Sequence, residues 1–131
     1  MANFKKLLIM LLNMDLDNTQ QLYTPFYQAV AAASLNYDVS MVITADAGLI
    51  LKKGVAEKIF IEQSSHGASA RALYEFIRDA HNAGVKIFIC SPSLAHHQMT
   101  RDDLIHECTD IIGSATYIEM AMDEDTQVLT Y

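Results

Sequence analysis

A chain of 131 residues that is 51% apolar can bury one core and has no room for a second domain. Its net charge of −7, with adjacent cations only at Lys5-Lys6 and Lys52-Lys53, argues against nucleic acid, whose phosphates need a row of cations to displace their counterions. Two cysteines make no disulfide framework and point to a reducing, cytoplasmic setting where a thiol stays free.

The amino end, MANFKKLLIMLLNMD, imitates a signal peptide, but its apolar run is short, no small-residue cleavage site follows, and acids come at once. Lys5 to Leu12 reads better as a first strand, buried on both faces of a parallel sheet. Nothing approaches the ~20 apolar residues of a membrane span. After the polar loop Asn13 to Asn18, Thr24-Pro25 gives a cap-plus-proline start for a helix ending near Asn36, with Thr19 to Tyr23 as a preceding turn.

Asp38 to Thr44 is the second strand, with Ala45-Asp46-Ala47-Gly48 at its carboxyl end. Leu49 to Lys53 reads as a helical turn stopped by Gly54, and Glu57 to Ile61 as either a short strand or covering loop. Ser69 opens a helix whose Ala72, Leu73, Phe76, Ile77 and Ala80 share one face, and Gly84 stops it.

The stretch Gly84 to Gln98, GVKIFICSPSLAHHQ, organises the rest. Val85 to Ile89 forms a strand among the central ones, Cys90 ends it, and Ser91-Pro92 opens a short helix with serine as cap and proline first. Carboxyl ends of strands are where open α/β sheets do chemistry, and a helix amino end favours thiolate over thiol. Cys90 is therefore the candidate nucleophile. Ser91, Ser93, His66 and His97 are candidates to support its anion.

Thr100-Arg101-Asp102-Asp103 reads as another helix start, which places Cys108 late in a helix beside Glu107 and ahead of Asp110, where its thiolate is suppressed. Asp110 to Ile112 is a fourth strand, Gly113-Ser114 starts a helix carrying Ile118 and Met122, and Thr126 to Tyr131 closes the sheet. The whole is a single-domain α/β, flavodoxin-like three-layer sandwich with a mostly parallel five-stranded sheet.

The adjacent pair His96-His97 points roughly 100° apart on a helix and offers no i, i+4 ligand pair, so no metal is expected. No cofactor is expected either: Asn13 to Asn18 carries acids and no glycine, a poor phosphate loop for a flavin. The acids Asp15, Asp17 and Asp46 sit where response-regulator receivers carry theirs. However, the Val85 to Ile89 strand ends in cysteine and the last strand has no lysine.

Three stretches resemble the DsrE/DsrF-like family of sulfur-relay proteins, the DsrE/TusD type. They are TPFYQAVAAASLNYDVSMVITADAGLILKKG, GVKIFIC with the following SLAHHQMTRDDLI, and IIGSATYIEMAMDEDTQVLTY. The resemblance implies a five-stranded α/β fold, a trimer or hexamer of the chain, and sulfur accepted and passed on as a persulfide on Cys90. It implies donor and acceptor proteins as partners, with no nucleic acid or membrane. The competing readings are a non-catalytic assembly or regulatory subunit with an inert Cys90, and a thiol peroxidase that uses Cys108 to resolve.

Overall fold

In the computed structural model, which describes residues 5–61 and 70–131, five parallel strands form one sheet. They are β1 (Lys6–Leu11), β2 (Asp38–Ile43), β3 (Lys86–Cys90), β4 (Asp110–Ile112) and β5 (Thr126–Thr130), side by side in the order β4-β3-β2-β1-β5. Lys6 lies opposite both Asp38 and Thr126, and Cys90 lies opposite Ile112. The expected α/β sandwich with five parallel strands is present, and β3 is an interior strand. The strand order is not flavodoxin's 2-1-3-4-5. Here β1 to β4 are laid down in one direction, and only the last connection crosses back, to the far edge beside β1.

The direction of each connection decides its layer. The helices α1 (Gln20–Ser34), α2 (Leu73–Asn82) and α3 (Ser91–His96) advance the sheet the same way, so right-handed crossovers put them on one face. The helix α4 (Ser114–Ala121) belongs to the returning connection and falls on the other face.

Strand side chains alternate between these layers. Ile9, Leu11, Val39, Met41, Ile43, Ile87 and Ile89 pack with Leu22, Phe26, Phe76 and Ile77 in one continuous core. On the α4 face the buried set is Leu8, Val42 and Cys90, with Phe88, Ile112, Tyr117, Met120 and Ala121 packed against it.

Local departures from the sequence pattern have identifiable causes. Pro25 lies inside α1, which begins five residues before it. Losing the Pro25 amide costs roughly 3 kcal/mol in a helix interior, but Leu22, Pro25, Phe26 and Ala29 are all buried on one face, and that burial outweighs the break. Ser69 lies outside the described residues. The helix itself starts at Leu73, because Arg71–Ala72 pairs antiparallel with Phe60–Ile61 and Glu75 accepts the Ala72 amide at 3.2 Å.

The helix expected after Thr100 is a single 3-10 turn, Arg101–Asp103. Asp103 accepts the Thr100 amide at 2.7 Å, but the next residues leave the helical path: Leu104 bridges to Lys52, and the Ile105 amide donates to Leu51. Cys108 therefore sits in a turn before β4.

Candidate active site

Three chain segments build the carboxyl edge around Cys90. After β2 the backbone turns sharply at Ala45, whose φ of +51° is left-handed, a conformation that costs an L-residue roughly 1–2 kcal/mol. The Ala45 carbonyl is held from outside: Ser93 Oγ donates to it at 2.7 Å and His97 Nε2 at 2.9 Å. Both donors belong to α3 or its end, so they clamp that helix onto the loop. Gly48 makes the approach possible, because a Cβ there would come within 1.9 Å of Ser93 Oγ.

Cys90 itself caps α3, with extended dihedrals of −74° and 135°. The helix starts one residue earlier than the Ser91-Pro92 pattern suggests: Ser91 is its first residue, exposed, and Pro92 follows within the first turn. Since Ile87 and Ile89 face the thick core, the alternation turns Cys90 toward α4. The residue is 5% exposed. Its β4 neighbour Ile112 is followed by Gly113, which caps α4, so the amino ends of α3 and α4 open at adjacent strand ends.

The supporting residues anticipated from the sequence fall in different places. Ser93 is buried and its one proton goes to Ala45, as does that of the His97 Nε2. His96 stands 3.9 Å from Asp46 at the solvent-facing surface of the same corner. His66 lies outside the described residues. Among the described residues no three His, Cys, Asp or Glu side chains form a metal-binding group. Sequence reasoning did not single out Ala45 or Gly48. The small-residue run after β2 was the available signal, but only the Ser93 contact gives it meaning.

Cys108 packs on the thick core, across the sheet from Cys90. Burial pushes its thiol up to about 11, and its Sγ donates weakly to the Asp110 carbonyl at 3.6 Å. Next to it, Glu107 is fully buried. One carboxylate oxygen accepts the Tyr74 hydroxyl, and the other lies 3.3 Å from His106 Nδ1 without a hydrogen bond. The Glu107 hydrogen bond, reinforced by burial, raises the Tyr74 pKa.

A three-layer α/β domain with a free thiol capping a helix at an interior strand end is the class that fold and site define. The DsrE/DsrF-like family model matches residues 5–131, and the chain belongs to that family. No curated protein matches it. Among solved structures it is similar to the ychN protein from E. coli, with a TM-score of 0.74 at 16% identity, covering 97% of this chain and 99% of that one.

It is also similar to MTH1491 from Methanobacterium thermoautotrophicum, a protein of unknown function, with a TM-score of 0.68 at 15% identity and coverage of 97% and 99%. BT1422 from Bacteroides thetaiotaomicron, likewise of unknown function, gives 0.68 at 8% identity, covering 97% and 95%. At these identities the likeness establishes the fold.

Proposed function

We propose that the chain is a sulfur-relay protein, a sulfurtransferase that accepts sulfane sulfur on Cys90 and hands it on as a persulfide. The observation that carries this reading is the position of Cys90, at the carboxyl end of an interior strand and at the cap of a short helix with proline in its first turn. Membership of the DsrE/DsrF-like family supports it.

The chemistry is two successive displacements. The Cys90 thiolate attacks the outer sulfur of a donor persulfide, forming a new S–S bond and expelling the donor thiolate. An acceptor thiolate then attacks the outer sulfur on Cys90, and the Cys90 thiolate leaves. No net oxidation occurs and no metal or organic cofactor takes part. The partners are a donor and an acceptor protein.

Self-association is part of the proposal, as a trimer or hexamer. The edge strand β5 exposes Val128 and Leu129, apolar side chains for a second copy to cover while α4 stays free. Light scattering at micromolar concentration gives an oligomer under this reading and a monomer against it.

A second reading, an assembly or regulatory subunit, draws on the 5% exposure of Cys90. The peroxidase reading is the weakest, since the only candidate resolving thiol sits across the sheet. Intact-protein mass spectrometry after treatment with a sulfane-sulfur donor separates these. The relay gains one reductant-sensitive sulfur, loses it in Cys90→Ser, and keeps it in Cys108→Ser. Absence of loading on the wild-type chain with several donors leaves the assembly reading.

A further inference from the structure

We propose that α4 is a movable cover over Cys90, and that Tyr117 is the side chain that sets how often it lifts to admit donor and acceptor. The inference rests on the relay reading above, because both displacements require a partner sulfur to reach a thiol that is 5% exposed. Something beside Cys90 has to move. The neighbours Phe88 and Ile112 belong to β3 and β4 and cannot withdraw without breaking the ladder between Phe88, Ile89, Cys90 and their partners. Among the described residues, the other hydrophobic side chains packed on the Leu8, Val42 and Cys90 cluster are Tyr117, Met120 and Ala121, all from α4.

This helix is built to detach. It spans only Ser114–Ala121 and none of its residues is buried, whereas α1 and α2 each bury four. An open groove of about 320 Å³ runs beside its far end, lined by Lys6, Asp38, Ser40, Glu119, Met120 and Asp123, so that end of the helix is not closely packed on the sheet. Elements with little buried apolar surface open locally at far lower free energy than the global unfolding of the domain.

The two ends are held differently. At one end Gly113 is the cap, with nothing within 4 Å of where a Cβ would stand. At the other, the residues after the helix are tied to β1 by the Lys6 amide, which donates to the Asp125 carbonyl at 2.9 Å, and by the exposed Lys6–Asp123 ion pair, so the Gly113 end is the one free to lift. Tyr117 lies one turn into α4 from the end beside Cys90, while Met120 lies a turn further, toward the Lys6 end. Of the three α4 side chains on this patch, Tyr117 is the one closest along the helix to Gly113, which follows the Cys90 strand neighbour Ile112.

The test is the alkylation rate of each cysteine by iodoacetamide, read by peptide mass spectrometry on the folded chain. Wild-type Cys90 should react at least tenfold more slowly than in the urea-unfolded chain. Tyr117→Ala should accelerate Cys90 severalfold and leave Cys108 unchanged, whereas Tyr117→Phe should stay near wild type. Gly113→Ala stiffens the hinge without a clash and should slow Cys90; this variant decides the matter if Tyr117→Ala does not fold.

A wild-type Cys90 as fast as the unfolded thiol overturns the cover. So does a Tyr117→Ala rate that is unchanged or raised equally at both cysteines, or, where that variant fails to fold, a Gly113→Ala rate equal to wild type. Alkylation reports access alone. A chain that alkylates in this gated way yet never takes sulfur loses the relay function and keeps its cover.

Discussion

The two faces of the sheet are made from the same five strands, yet they are packed for different purposes. One carries α1, α2 and α3 over a continuous core that includes Ile9, Leu11, Met41, Ile43, Ile87 and Ile89. The other, among the described residues, carries α4 over a patch of three buried residues. The cysteines divide accordingly: Cys108 is lodged against the thick face with its thiol pushed up to about 11, and Cys90 is under the thin one. Stability is concentrated where the layers are deep, and the candidate nucleophile is placed where a small rearrangement exposes it.

Truncation breaks or upholds this contrast most directly. Phe26→Ala, at a fully buried site of the thick face, should cost about 3–5 kcal/mol, read from urea melts. Tyr117→Ala on the thin face should cost about 1 kcal/mol, in the range of ordinary partly buried sites. Equal losses would mean that the faces do not differ. Gly48→Ala comes next. Its Cβ would meet Ser93 Oγ at 1.9 Å, so α3 must shift, at about 1–3 kcal/mol. Persulfide loading of Cys90 should fall along with the melting temperature.

The smallest effect is a pH dependence. Burial raises the Cys108 pKa from 9.0 to about 11, so the folded state holds that proton more tightly than the unfolded chain does. The stabilisation is complete below pH 9 and is lost as pH rises through about 11. Tyr74, also raised, contributes in the same direction above its ordinary pKa. Cys108→Ala should flatten part of the alkaline decline in melting temperature. An unchanged slope would mean that the thick face does not hold this thiol as described.

Much of the fold was legible because parallel strands buried on both faces write themselves as unbroken apolar runs. Leu7 to Leu11 and Val85 to Ile89 needed no tertiary information, and neither did Cys90 at the end of its strand. Proline misled, because its local penalty is visible in sequence while the buried face of α1 that overrides it depends on what packs there. The Thr100 cap is a true local feature, with Asp103 bonded as expected. Whether a helix continues from it was decided by the Leu104 bridge to Lys52, far away in the sequence. The clamp of Ser93 and His97 on Ala45 was not legible at all, since it exists only once β2 and β3 lie side by side.

The strand order also has a consequence in time. The first strand, β1, sits between β2 and β5, and the register joins Lys6 to Thr126, almost the full chain away. As the chain is synthesised, β1 can take up β2 early, but its other edge waits until β5 has emerged. Until then a long apolar strand presents open amides and carbonyls to any other chain. Such late, distant pairing slows folding relative to the local pairs β1–β2 and β3–β4. Refolding should therefore pass through a stage with β5 undocked, and a chain shortened before Thr126 should aggregate rather than merely lose a strand.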